Sequence, residues 1–382
     1  MKVYLFLSTL LFSLSVFSET CSSVNLVTQD KSPFKQIPVY DQDGIGACYA
    51  YSGAQLMDYY LLKNGKKTTR SVHPAWVALK YTKAQRKNTI TGGSVRDAIT
   101  ATRSSGNCDY SKVSEALGKY AKLAKVTEAE MLDILESFSL EAEKELKQNS
   151  FMKPLLLTKP VLGQDLIGKP INYSTRQYNY KETQRILDKV LVRYKKATCS
   201  VNMDYEKLVE ALSPLIDFTT NQMMTAILFP TCFGLKTNEF PNPKHTSFKQ
   251  EQDVTKNIIE QLSFHKAPSG ISYCASIWSN PDYPGVVTRP YKTGKDCGNH
   301  ASIVVGMKPV GNKCHFLVRN TWGSGFSSST SKWKCLCKHK KTGKFVDDCT
   351  NKTHNNGQYT VEGCWMGSDK LSKNVYQTTV LN

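Results

Sequence analysis

The run Asp41-Gln-Asp-Gly-Ile-Gly-Ala-Cys48-Tyr-Ala-Tyr-Ser-Gly-Ala-Gln-Leu-Met-Asp-Tyr-Tyr60 decides the fold. It predicts an amphipathic helix that opens on a cysteine, led in by the small residues Gly44, Gly46 and Ala47, with Gln42 six residues upstream. A helix N-terminus offers unpaired amides and the positive end of the helix dipole, which favour a thiolate. A carboxamide held nearby could donate to an oxyanion forming beside the sulfur. The plainer reading of such a segment is an inert cysteine on a core helix.

Two distant segments favour the chemical reading. In Cys297-Gly-Asn299-His300-Ala-Ser-Ile-Val-Val-Gly306 a histidine enters a β-branched apolar run, the mark of a buried strand. In Phe316-Leu-Val-Arg-Asn320-Thr-Trp322-Gly-Ser-Gly325 a second strand ends in an amide, an indole and a glycine turn. A Cys–His pair needs a third polar group to hold the imidazole in its useful tautomer, and Asn320 suits that task. Trp322 could cover the His–Asn hydrogen bond against water. The chain has seven histidines. His73 precedes Pro74 at a helix entry, His265 follows a helical pattern and His315 lies within the strand leading to Asn320. His245, His339 and His354 fall in polar stretches that read as solvated.

With these residues in hand, the chain resembles the papain-like cysteine peptidases. The resemblance rests on Gln42, Gly46-Ala47-Cys48-Tyr49, Gly92-Gly93, His300-Ala301 and Asn320-Thr321-Trp322-Gly323, in the family's order along the chain. It covers residues 33–110 and 250–330. It implies an α+β, papain-like two-lobe fold, with a helical left lobe and a β-barrel-like right lobe. It further implies that Cys48 is the nucleophile, His300 the general base and then acid, and Asn320 the group that orients the imidazole. Gln42 and the Cys48 amide would form the oxyanion hole. Gly92 and Gly93 would let an extended peptide approach and pair with the backbone, and Asn299 and Trp322 would also contact substrate. The chain departs from the family in having Ile45 where the signature has its first cysteine, and Phe326-Ser327 where a tryptophan and a glycine are usual.

His300 lies 252 residues after Cys48, against roughly 130–150 in the family, which leaves about a hundred extra residues. Residues 111–249 are therefore read as an inserted, mainly helical subdomain. Residues 111–148 carry apolar positions at helical spacing (Val113, Ala116, Leu117, Tyr120, Leu123, then Met131, Leu132, Ile134, Leu135). Residues 151–175 are broken by prolines, 180–194 and 205–218 read as helices, and 237–249 reads as a linker.

Residues 1–18 read as a signal peptide: Lys2, then an apolar run too short to span a bilayer, with Val16 and Ser18 meeting the small-residue rule for cleavage. Residues 19–32 form a short N-terminal segment, too short for the pro-segment the family usually carries, so the insertion is the natural element to gate the cleft. The right lobe, 250–382, ends in a cysteine-rich region. In an exported chain, twelve cysteines imply a disulfide framework around a free Cys48; that leaves eleven, an odd number. The spacing of Cys335, Cys337, Cys349 and Cys364 fits no common zinc pattern. No metal and no cofactor is expected.

Lys and Arg number 50 against 32 Asp and Glu, a formal charge of +18. Such a surface favours acidic partners or anionic envelope polymers. The modules of specific nucleic-acid binding are absent from the sequence, and nothing after the leader is apolar enough to make an integral membrane protein. The function expected is an exported cysteine endopeptidase acting on polypeptides through an acyl-enzyme, in the secreted or periplasmic space. The lack of a pro-segment and the lysine-containing leader give the chain a bacterial character. The alternatives are a cysteine amidase of cell-wall peptides, an exopeptidase with one end of the cleft blocked, and a catalytically silent binding protein of the same fold.

Overall fold

The computed structural model describes residues 21–148, 173–195, 204–232, 235, 237, 239–283, 297–325, 330–349 and 357–382. The expected leader, the proline-broken stretch after residue 151, Cys199, His354 and Phe326-Ser327 fall wholly or largely outside these.

Helix α1 (Cys48–Lys63) runs straight into the core. The amphipathic helix expected from the sequence is instead buried on nearly every face, Tyr49 through Tyr59 without interruption. The reason is its setting: α2 (Pro74–Ala84) and α3 (Val95–Ser105) pack on one side and strand β4 (Asn299–Val310) on the other. Its one charged interior residue, Asp58, accepts the amides of Ser71 and Val72 at 2.7 and 2.9 Å. Local signals set the neighbouring helices. The His73 side chain caps α2, with Pro74 in the first turn, and Ser94 caps α3.

Helices α4 (Tyr110–Ala124) and α5 (Glu128–Gln148) divide the predicted helical stretch at Lys125, which takes a left-handed conformation (φ 53°). Helix α6 (Tyr173–Lys195) covers the expected 180–194 but starts seven residues earlier, and helix α7 (Tyr205–Leu212) covers the first part of the expected 205–218, which Pro214 ends in a 3-10 turn. Helix α8 (Thr220–Leu228) was not anticipated, although its start carries a full capping box between Thr219 and Gln222.

The strands among the described residues form one antiparallel sheet of nine. In spatial order they are β2 (Lys244–Ser247), β9 (Val375–Val380), β3 (Ser269–Cys274), β4 (Asn299–Val310), β5 (Lys313–Arg319), β8 (Tyr359–Gly367), β6 (Lys334–His339) and β7 (Phe345–Val346), with β1 (Val24–Asn25) pairing β4 off this path. This corrects the β-barrel-like expectation. Closure requires the two end strands to pair, and here β2 and β7 are open edges of four and two residues. The predicted linker 237–249 contains β2, a polar edge strand paired to β9. Helix α9 (Glu251–Ser263) packs against β3, β4 and β9. Among the described residues no helix is long and apolar enough to cross a membrane.

Among the described residues five disulfides close the fold: Cys21–Cys314, Cys108–Cys232, Cys274–Cys297, Cys335–Cys364 and Cys337–Cys349. The last two occupy all four thiols of the C-terminal cysteine cluster. Cys48 is the one free cysteine among the described residues.

Candidate functional site

Three pairings bring the site together. Asp41 bridges Trp322, the Gln42 amide donates to the Thr321 carbonyl at 2.8 Å, and the Gly323 amide donates to the Tyr40 carbonyl at 3.0 Å. The cysteine loop is thus laced to the segment following Asn320. Arg319, fully buried, locks that segment from below. Its guanidinium donates to Glu362 at 2.6 Å, to the Ile37 carbonyl at 2.6 Å and to Gln55 of α1 at 3.1 Å. A buried arginine engaged on three sides fixes the strand end that carries Asn320.

His300 begins the buried part of β4, and its Nε2 lies 2.6 Å from Asn320 Oδ1. A carboxamide oxygen only accepts, so Nε2 carries the proton and Nδ1 keeps its lone pair. The same Oδ1 accepts from the Thr321 amide at 2.8 Å and the Ser302 hydroxyl at 3.1 Å. Behind Ser302 the chain of donors continues: Trp278 Nε1 donates to the Tyr273 hydroxyl at 2.5 Å, and Tyr273 lies 2.9 Å from Ser302 Oγ. Every donor in this relay points toward Asn320, which fixes its amide and hence the tautomer of His300. The sequence reading missed Tyr273, Trp278 and Ser302. Ser302 had a signal, since it follows His300 by two residues on the same strand face.

Trp322 stacks on the imidazole, ring centroids 4.6 Å apart at 30°, with Trp278 6.0 Å away on its other flank. The indole is 36% exposed, so it covers His300 while presenting one face outward.

Cys48 is partly exposed at the head of α1, whose N-cap residue Ala47 supplies no side-chain cap. The Cys48 and Tyr49 amides are therefore open toward the sulfur, while the Ala50 amide donates to the Ala47 carbonyl at 2.8 Å. Burial pushes the Cys48 thiol up, and backbone hydrogen bonds involving Ala301, Tyr49 and Cys48 itself offset this only in part. Burial likewise drives His300 down to about 4, against the opposing hydrogen bond to Asn320. The depressed thiol expected from the helix dipole is thus outweighed by desolvation. Burial thus favours the neutral form of both groups.

Gln42 is buried, its Oε1 accepting from the Thr321 hydroxyl and its Nε2 donating to the Ile45 carbonyl at 2.8 Å. A carboxamide nitrogen has two hydrogens, so one remains to offer.

The Gly92-Gly93 segment lies against the cysteine loop, the Gly92 amide donating to the Gly46 carbonyl at 2.8 Å. A Cβ at Gly92 would meet nothing within 4 Å, so this position faces open space. Gly93 has another reason: a Cβ there would come within 2.7 Å of the Tyr49 ring. Its small size accommodates Tyr49. Tyr49 in turn donates to the Ile90 carbonyl at 2.9 Å. The segment's other anchor is Glu136 on α5, a residue the sequence reading passed over. Its carboxylate accepts from the Ile90 amide at 2.8 Å, the Thr91 amide at 3.1 Å and the Thr91 hydroxyl at 2.8 Å. Asn299 is exposed, paired with Cys274 in the ladder beside the Cys274–Cys297 bridge.

No group of three or more potential metal ligands converges among the described residues. The arrangement gathers a thiol, a base with a fixed tautomer, an aromatic cover and a backbone ledge.

No family model matches the chain, and no curated protein matches it. Among solved structures the chain is similar to xylellain, a cysteine protease from Xylella fastidiosa, at a TM-score of 0.42 and 14% identity, over 94% of this chain and 85% of that one. It is also similar to digestive procathepsin L 3 of Tenebrio molitor larval midgut, at a TM-score of 0.38 and 10% identity, over 94% and 69%. At these scores the two neighbours decide nothing about the chemistry, which stands on the chain's own residues.

Proposed function

We propose that the protein is a cysteine endopeptidase of papain-like type, with Cys48 as nucleophile, His300 as general base and acid, and Asn320 as orienting group. The observation that carries the reading is the 2.6 Å contact of His300 Nε2 with an Asn320 oxygen held by two further donors. It commits Nε2 and leaves Nδ1 as the base, while the backbone of the next residue, Ala301, reaches Cys48.

In this mechanism Sγ attacks a peptide carbonyl carbon as its proton passes to His300 Nδ1. The developing oxyanion receives the Cys48 amide and the remaining Gln42 N–H. His300 then protonates the departing amine, the C–N bond breaks, and water assisted by neutral His300 hydrolyses the thioester. Gly92, Asn299 and Trp322 line the substrate path. The segment 111–249 acts as an inserted subdomain that supports the cleft, and the protein works outside the cytoplasm, where its disulfides persist.

The test is labelling by an epoxide reagent selective for papain-like thiols, followed by mass mapping, together with Cys48→Ala. One label on Cys48, and loss of peptide hydrolysis in a folded Cys48→Ala protein, are expected. Hydrolysis persisting within tenfold of the parent, in a preparation free of host peptidases, overturns the assignment.

A further inference from the structure

The pairing of residues 40–42 with 321–323 that builds the site does not end there. The next residues on the two strands, Val39 and Ser324, line an open groove of about 520 Å³. Val39 is three residues from Gln42, about 10 Å along an extended chain. The groove's other lining brings cations from three separate segments: Lys35, Arg70, Lys338 and Lys340. The sole carboxylate in the lining, Glu362, is already engaged by Arg319 at 2.6 Å.

Lys35, Lys338 and Lys340 have no ion-pair partner among the described residues, whereas Arg70 also acts on the Asp58 and Glu128 carboxylates behind the groove. Arg70 lies over the Tyr110 ring at 3.8 Å, Lys338 is 6.0 Å from the Phe345 ring, and Lys35 donates to a main-chain carbonyl, that of Asp30, at 2.6 Å. Elsewhere on the same sheet and its flanks, Lys308, Lys313, Lys334 and Lys370 all end on aspartates. Three lysines without carboxylates, beside Arg70 and around a concavity whose one lining acid is already engaged, form a cationic receptor for an anion. Because the groove is concave and continues the catalytic strands, it suits a chain more than a flat surface.

We infer that this groove is a secondary docking site for an acidic stretch of the polypeptide substrate, running on from the catalytic cleft past Val39 and Ser324. The inference rests on the peptidase reading and adds a substrate preference to it.

The test compares fluorogenic peptides sharing one cleavable core, extended at either end by a three-residue spacer and then four glutamates, four glutamines or four lysines. The glutamate tail at one end should raise kcat/KM roughly three- to tenfold over glutamine at low salt. Two or three exposed pairs supply an effect of that order, and it should shrink as salt screens the charges. Lys338→Glu with Lys340→Glu should erase the advantage and leave the untailed core unchanged; Lys338→Gln with Lys340→Gln, which adds no charge, guards against misfolding. Equal turnover of all tails, or an advantage that survives both double variants, overturns the proposal. So does a loss, in the double variants, of binding to anionic vesicles with no tail preference, which would assign the groove to a membrane. If the untailed core is not cleaved at all, the peptidase reading fails by itself; anisotropy of the labelled glutamate peptide on Cys48→Ala protein still reads the groove.

Discussion

Glu136→Ala should cripple extended substrates while sparing the reactivity of Cys48. Glu136 is 5% exposed, and its two oxygens take three hydrogen bonds from Ile90 and Thr91. Truncation strands two backbone amides and a hydroxyl. Each buried orphan costs about 1–3 kcal/mol unless water replaces the acceptor, and the vacated carboxyl volume lets water do so in part. A net destabilisation of about 2–4 kcal/mol is then expected, concentrated on the segment that leads to Gly92. An extended peptide would lose one or two backbone hydrogen bonds to a displaced ledge. At about 1 kcal/mol each, that is roughly a five- to thirtyfold fall in kcat/KM. The assay pairs a substrate spanning several residues with a short ester that does not reach Gly92, and adds the rate of Cys48 alkylation by iodoacetamide. Only the long substrate should suffer. Glu136→Gln should restore it, because the amide oxygen can accept both backbone N–H groups while its nitrogen donates to the Thr91 hydroxyl. Equal losses for long substrate, ester and alkylation would reduce Glu136 to a general structural role, and no loss at all would refute the clamp.

Two further outcomes follow from the site. Gln42→Ala should lower kcat by about a hundredfold with little change in KM, since an oxyanion donor acts on the transition state; Thr321→Val, which frees the carboxamide to rotate, should give a smaller loss of the same kind. A raised KM with normal kcat would mean instead that Gln42 positions substrate. With His300 driven down to about 4, the imidazole is unprotonated and able to act as base at every pH above that value. The acid limb of kcat/KM should therefore lie near pH 4, and the ultraviolet thiolate band of Cys48 should be weak at neutral pH, compared with Cys48→Ala. A limb near the ordinary imidazole value, or a strong thiolate band, would show a preformed ion pair.

The groups that do the proposed chemistry were legible because each stands at an element end with a residue type that packing alone does not call for: Cys48 at a helix start, His300 entering a strand, Asn320 leaving one. What holds them was not legible. Glu136 reaches residues 45 and 46 positions back in the chain, Arg319 reaches 264 and 282 residues back, and no local pattern encodes such distances. Strand β2 was read as a linker because an edge strand exposed along most of its length has no apolar face to alternate. The barrel was an expectation from the resemblance, and the short edge strands do not support it. Helix α8, by contrast, was there to be found in Thr219-x-x-Gln222.

Cys108 and Cys232 stand with their α-carbons 5.4 Å apart, although 124 residues separate them. The two ends of the stretch carrying helices α4 to α8 are thus joined by one covalent bond, while Glu128 and Glu136 tie the stretch to His73, Ile90 and Thr91 as well. A protease that cuts anywhere inside this loop leaves the molecule covalently in one piece until a reductant is added. The same closeness means that a short turn could span the gap, but the helices between share one buried core with α1 to α3. Reduction after a cut inside the loop therefore leaves two chains still joined through that core, and their separation measures how much the packing alone contributes.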